Sequence, residues 1–530
     1  MKKNNNKNNN NKKQPKGVMK NKKGAKMPIK RLIKEVQSLV KTVKELTAGT
    51  KEAAKVSPTF PFVLNDPAAN SSLVKVITPP TAETGLKVSV RGFVANPTTP
   101  DQVLSAQVYT ILENDKKYIQ NIIAQHRAKF TQWSTTKLLN VLPKAGVDFN
   151  AYYDRKNLKF FYDNDTVLNK TVYSARSSDI VSHELGHGIL DALRPDLWSA
   201  VAMEIWSFHE SFGDMMAIIS AMLSDDVINF ALAETSNDLS QSNTISKLAE
   251  ELGIAVYNMY DGADNGSLNN ALRDASINFD YVKPSLLPSS GLDSELINEP
   301  HSFSRVFTSA FWDALVAIKN KNVTNGQNHL TATKNARDTM ASYLVKACIL
   351  APSNTKFYFS VANSFLAADV AKGSPYQTEL ATAFQNRGIL PVGLRALDAH
   401  NSINKAMIKL NPGDEVVRHK EGMFMRLARK RTIKLADCCS HNDLQLLSAD
   451  DHLKDMLNVE VDIPADKFFA FNVNGDSVDE IKNDEHDCIK DIVKSVKSLK
   501  QKNLIGPNKA WEIKNNKLER HKICRICRKH

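Results

Sequence analysis

Cysteine is scarce in this chain. Six occur in 530 residues, and five of them, Cys438, Cys439, Cys488, Cys524 and Cys527, fall late in the sequence. Cys348 stands alone before them, so no disulfide framework supports the body of the chain. That usage fits a reducing compartment, and equally a cysteine-poor secreted protein. Long apolar runs are also missing, with no stretch of about 18 apolar residues to read as a membrane span. The lysine-rich start is not followed by the apolar segment that a secretory signal requires, which points to a cytoplasmic or non-classically exported protein.

Acidic residues are absent at the start. Residues 1–31 hold 11 Lys and one Arg, and residues 490–530 hold 13 basic residues against 3 acids. The segment between carries a net charge of −9, although the whole chain stands at +13. A mildly acidic body does not suit nucleic acid, so any polyanion contact belongs to the basic ends. Residues 1–27, mostly Lys, Asn and Gly, bury too little apolar surface to offset ordering; disorder is expected, as a solubilising tail or a tether to a polyanion. Leu32, Ile33, Val36, Leu39, Val40, Val43 and Leu46 then recur at helical spacing and predict a short amphipathic helix.

The chemistry is concentrated at Ser182-His183-Glu184-Leu185-Gly186-His187. Two histidines at i and i+4 on one helix face the same way, so both imidazoles can grip one cation. Ile180, Val181, Leu185, Ile189, Leu190 and Leu193 supply that helix with an apolar face, and Pro195 marks its end. A second apolar-periodic segment, residues 203–223, carries Glu210 and Asp214, again i and i+4. Glu210 can complete three protein ligands and leave a fourth position open. Asp214, one turn on, can accept from the far nitrogen of a ligand histidine and fix its ring.

Four regions are expected: a basic tail with its helix (1–56), a mixed lobe ending on the His-Glu-x-x-His helix (57–195), a helical lobe (196–395), and a region of unassigned role (396–530). Leu86–Val94 alternates like a strand, residues 104–130 predict a helix, and residues 149–162 predict two strands around an Arg155–Asn157 turn. Helical periods run from Asp179 almost to residue 391. Glu415–Leu427 and Asp462–Val473 predict strands, and Val478–Leu499 a charged helix. The fold class is α+β, with two lobes and a cleft between them.

Over roughly residues 75–392 the chain resembles the thermolysin-like zinc metallopeptidases, a gluzincin family with a helical HExxH, a downstream ligand glutamate and an aspartate four residues later. The resemblance implies the two-lobed thermolysin-like unit, Zn2+ held by His183, His187 and Glu210, and Glu184 as the base that takes a proton from a zinc-activated water. Asp191, four residues after His187, matches a family aspartate and stands with Asp214 behind the ligands. Asn150-Ala151-Tyr152-Tyr153 resembles the edge strand that pairs with an extended peptide by β-augmentation, so Asn150, Ala151 and Tyr152 are implied to bind substrate. Ala271-Leu272-Arg273 resembles the segment whose arginine holds the carbonyl beside the cut. His301, 28 residues on, takes the place of the histidine that bonds the tetrahedral intermediate. Residues 301–307 then open a helix, and Ala383-Phe384-Gln385-Asn386-Arg387-Gly388 resembles the end of the helical lobe.

The chain departs from that pattern in several places. From His187 to Glu210 is 23 residues, slightly longer than usual. Trp198 stands where the family has an oxyanion tyrosine. The acid that orients His301 is not at its usual offset, leaving Asp293, Glu295 and Glu299, of which Glu299 is closest in sequence. Ca2+ is left open: Asp179 matches one family ligand, Ala221 stands where the next acid is expected, and Asp225 and Asp226 are the nearby substitutes. The expectation is a zinc-dependent metalloendopeptidase. The alternatives are a zinc aminopeptidase of the gluzincin group, disfavoured by the lack of a Gly-x-Met-x-Asn segment, and an inactive zinc-binding scaffold. Cys438, Cys439 and His441, with Cys524, Cys527 and the flanking His521 and His530, offer either a structural zinc knuckle or free thiols.

Overall fold

The computed structural model describes residues 59–80, 83, 85–126, 130–259, 270–292 and 294–392, then the segments 415–418, 424–428, 430–435, 453–465, 467–471, 477–480, 485–507 and 509–524. The chain divides into two units, Met1–Ser57 and Pro58–His530. The expected basic tail and amphipathic helix lie in the first, outside the described residues.

The second unit is mixed α+β. β1 (Phe60–Val63) and β2 (Val74–Ile77) form an antiparallel pair. β3 (Lys87–Val90) and β4 (Leu138–Leu142) are parallel, β4 and β6 (Asn157–Phe160) are parallel, and β5 (Ala151–Tyr153) runs antiparallel to β6. β7 (Tyr162–Asp165) and β8 (Lys170–Tyr173) form a further pair. The expected two-strand reading of residues 149–162 matches β5 and β6, with Arg155 in the turn at φ +70°. The strand expected over Leu86–Val94 stops at Val90, because Gly92 turns the chain at φ +79°.

α1 (Pro100–Gln125) begins earlier than the predicted 104. Thr99 and Gln102 cap each other's backbone N–H groups, and Pro100 lacks the N–H that would otherwise need a partner. α2 (Ser178–Leu193) starts where Ser177 accepts from Ile180 N, and its end is followed by a short 3-10 turn from Pro195. α3 (Met203–Ala221) is buried along almost its whole length. A helix buried on every face belongs in a core, and α3 packs between α2 and α6 (Pro300–Thr324). α4 (Asp225–Glu234), α5 (Glu250–Met259), α7 (His329–Leu350), α8 (Phe357–Val370) and α9 (Gln377–Asn386) surround it. Phe208, Phe307, Tyr358, Phe365 and Phe384 stack through this helical part at ring-centroid distances of 5.1–5.5 Å between Phe307 and Tyr358, Phe208 and Phe307, and Phe365 and Phe384. β9 (Lys247–Leu248) and β10 (Arg273–Asp274) form a two-residue ladder within it.

The described residues beyond 396 belong to the same compact unit. β11 (Glu415–Arg418), β12 (Phe424–Ala428), β15 (Lys467–Phe471) and β16 (Ser477–Glu480) make one sheet. β13 (Lys430–Lys434), β14 (Glu460–Pro464), β17 (Trp511–Lys514) and β18 (Lys517–Arg520) make another, in the order β13-β14-β18-β17. The helix expected at Val478–Leu499 is α10 (Glu485–Gln501), preceded by β16. These elements lean on the helices before them. Trp511 meets Trp206 of α3 at 5.0 Å between rings, Val201 N donates to Asp462 O at 2.8 Å, and Ser498 Oγ donates to Asn298 O at 2.9 Å. The last strand, β19 (Ile523–Cys524), pairs with β5 and completes a five-stranded sheet in the order β19-β5-β6-β4-β3. No single helix among the described residues is long and apolar enough to cross a membrane.

Candidate metal centre

α2 and α3 cross at two glycines. A Cβ on Gly186 would stand 3.0 Å from the Cα of Gly213, and a Cβ on Gly213 would stand 2.7 Å from the His183 ring. Absence of both side chains lets the His183 imidazole lie against the helix that carries Glu210 and Asp214. The ligating atoms of His183, Glu184 and His187 gather within 4.8 Å of one another, all three residues buried. Glu210 Oε2 lies 3.3 Å from His183 Nε2 and 3.8 Å from His187 Nε2.

His183, Glu184 and His187 form a group that can hold a metal ion, and Glu210 stands against both imidazoles. His183 Nε2, His187 Nε2 and Glu210 Oε2 are buried and make no hydrogen bond among the described residues, a costly state for polar atoms unless a cation takes them. Two ligands on a tetrahedral ion with bonds of about 2.0–2.1 Å stand roughly 3.3 Å apart, close to the observed spacing.

The surroundings fix these groups. His183 Nδ1 and Asp214 Oδ1 are 2.9 Å apart, and Arg273 donates to Asp214 through Nε at 2.9 Å and Nη2 at 2.5 Å. Arg273 arrives on β10, where it stands opposite Leu248 of β9. Burial favours a protonated Asp214, but Arg273 and His183 outweigh it and hold the carboxyl well below the usual range. Burial likewise opposes an ionised Glu210, and His301, His183 and Arg273 together bring its pKa below the ordinary value. His187 is pushed well below its ordinary value by burial and then by His183, His209 and Arg520.

His301 sits in the first turn of α6, with Nε2 3.3 Å from Glu210 Oε2. Its orienting acid is Glu299, the N-cap of α6. One Glu299 oxygen accepts Ser302 N–H at 2.8 Å and the other lies 2.6 Å from His301 Nδ1. Burial lowers the proton affinity of His301, but Glu210 and Glu299 more than reverse it. Of the other two candidates, Glu295 accepts from Leu292 N, and Asp293 lies outside the described residues.

Asp191 is placed differently from Asp214. It accepts from Tyr153 Oη at 3.0 Å and from Arg155 Nε and Nη2 at 3.0 and 2.9 Å, so its bonds tie the β5–β6 turn to α2. Asn150 Oδ1 accepts from Ala151 N at 2.8 Å, and Asn150 O accepts from Phe161 N at 3.1 Å. Tyr152 receives Lys159 Nζ on its hydroxyl at 3.1 Å. The outer edge of β5 is taken by β19, with Ile523 opposite Tyr153 and Cys524 opposite Tyr152. Trp198 donates its indole N–H to Arg520 O at 2.8 Å, and the Arg520 guanidinium lies over its ring at 5.4 Å.

Sequence reasoning passed over His209. It is buried beside Glu210 on α3, its ring 5.9 Å from that of His187 and 6.2 Å from that of Trp198. A histidine next to Glu210 carries no spacing signal of its own. A second group was only half seen. Asp66, Asp179 and Glu250, all buried, bring carboxylate oxygens within 4.8 Å of one another and can also hold a cation. Asp179 was the expected member. Asp225 and Asp226, the expected substitutes, instead pair with Lys334 at 2.8 Å and Lys75 at 3.2 Å on α4. Cys438, Cys439, His441, Cys527 and His530 lie outside the described residues. Compared with known protein families and with curated proteins, the chain matches none.

Proposed function

We propose that this chain is a zinc-dependent metalloendopeptidase of thermolysin-like, two-lobed architecture. The observation that carries the reading is the convergence of His183, His187 and Glu210 on one buried point, with Glu184 beside them and His301 against Glu210. Two imidazoles, one carboxylate and buried lone pairs suit Zn2+. A Zn2+ held there supplies Lewis acidity for a carbonyl and for water near neutral pH. Glu184 takes the proton of the attacking water and passes it to the leaving amine. His301, with Glu299 on Nδ1, donates from Nε2 to the developing oxyanion in its imidazolium form. Trp198 gives no help there while its N–H is held by Arg520. Arg273 anchors Asp214, which holds the His183 ring, and the resemblance adds contact with the substrate carbonyl after the cut. The edge of β5 takes the residues before the cut. The Asp66, Asp179 and Glu250 group, all oxygen, suits a hard cation such as Ca2+.

The test is metal content together with cleavage of an unbiased peptide library, for the native chain and Glu184→Gln. Because β19 covers β5, the same assay is run on Ile523→Pro, which cannot keep a full strand ladder. One zinc per chain, internal cuts, and a loss of about 10²–10⁴-fold in kcat for Glu184→Gln are expected. Cuts only at free amino termini would move the reading to an aminopeptidase. Zinc bound without cleavage in any of the chains would make it a zinc-binding scaffold.

A further inference from the structure

At the outer edge of β5 a distant segment of the chain pairs in the way an extended peptide ligand would. An uncovered strand edge presents unpaired N–H and C=O groups and accepts any extended segment that can reach it. Here that segment is β19, antiparallel to β5. It is only two residues long, so its backbone bonds alone add little.

Other contacts deliver it there. The β17–β18 hairpin is anchored by Trp511 against Trp206 of α3, the helix that carries Glu210. His521 N donates to Ala510 O at 2.8 Å and closes the hairpin base. Arg520 then offers its carbonyl to Trp198 Nε1 and lays its guanidinium between the Trp198 and Trp511 rings, at 5.4 and 5.7 Å. Lys522 follows with Nζ 4.9 Å from the Tyr152 ring. Backbone pairing on β5, an indole donor for a carbonyl, and aromatic faces for two cations make a subsite for an extended basic peptide.

We infer that residues Arg520–Cys524 are a tethered occupant of this peptide subsite, holding it against extended basic segments from other molecules until the tail is displaced or removed. A tethered ligand acts at millimolar effective concentration, so weak contacts suffice to keep the edge filled and still let it open. The binding stands by itself; that its release exposes a catalytic cleft rests on the peptidase reading above.

The experiment compares the full chain, the full chain with Ile523→Pro and Cys524→Pro together, and a chain ending at His521. Thermal melting establishes that each folds. A fluorescein-labelled peptide of residues 517–526 is titrated into each, made with Glu184→Gln so that nothing is cut. At least tenfold tighter binding to the two altered chains than to the full chain is expected, weakened again by Tyr152→Ala. Without Glu184→Gln, the altered chains then cleave library peptides faster, chiefly through a lower KM, and the peptide inhibits them competitively. Equal binding to all three chains, or binding to none, overturns the inference. Selective binding to the opened chains without cleavage by any of them keeps the inference and retires the peptidase reading instead.

Discussion

At the scale of single residues, Asp214 joins two demands. It faces His183 Nδ1 at 2.9 Å and takes two nitrogens of buried Arg273. Removing its charge acts on both. Asp214→Asn leaves an oxygen for His183 but strands the Arg273 guanidinium in the interior. The expected outcome is a loss of about 10–100-fold in metal affinity, read by chelator competition. Stability falls by about 3–5 kcal/mol, read by denaturant unfolding, because one partner of a buried ion pair is gone. Unchanged metal affinity in a folded variant would mean that Asp214 serves Arg273 alone. The bond to His183 was legible in the sequence; the pairing with Arg273, 59 positions on, was not. The i, i+4 spacing of His183 and His187, and of Glu210 and Asp214, is local and survives any tertiary detail. Glu299 was one of three acids in a loop, and only the start of α6 at Pro300 selects it, by making it the N-cap. Asp191 looked like a companion of Asp214, yet its bonds run to Tyr153 and Arg155, brought close by a sheet that spacing along one helix does not reveal.

At the scale of elements, the site depends on how closely α2 and α3 approach. Gly213→Ala puts a methyl 2.7 Å from Cε1 and Nδ1 of His183, so the ring must leave its place against α3. Gly186→Ala puts one 3.0 Å from the Gly213 Cα and 3.2 Å from Met216, so the helices must part. The two variants should separate. Overpacking costs about 1–3 kcal/mol in each. Gly213→Ala should lose metal affinity out of proportion to its stability, and Gly186→Ala should lose stability with a smaller change at the metal. Metal titration beside thermal melting checks this, and equal losses of affinity would refute it. The helices themselves were readable from apolar period; their crossing was not, since nothing in the sequence states which glycine faces which. β19 was beyond reach for a similar reason. Two residues carry no alternation to read, and its partner β5 lies more than 350 positions earlier.

At the scale of the whole molecule, Asp66 follows β1, Asp179 opens α2 and Glu250 opens α5, so one cation at their meeting point would tie three distant parts of the chain together. Without a cation the group is a liability. Burial, with help from Glu251, pushes the Asp66 carboxyl up to about 6. Burial, then Asp66 and Asp179, pushes Glu250 well above its ordinary range. Both folded pKa values therefore exceed those of the unfolded chain, about 3.9 and 4.3. The folded state holds the extra protons, so this part of the stability is present below about pH 4 and is lost as the pH rises through the raised values. A divalent cation reverses the sign, because it binds the ionised carboxylates of the folded state alone. Ca2+ at about a hundred times its Kd would add about 2.7 kcal/mol. The expected result is a rise in melting temperature on adding Ca2+ at about pH 8, a much smaller rise at about pH 5, and none at either pH in Glu250→Gln. Zinc content is held constant by choosing a chelator selective for Ca2+ in the control. The same melting temperature with and without Ca2+ at about pH 8 would leave the three acids as a buried proton-sharing cluster, and Glu250→Gln would then stabilise the protein at that pH.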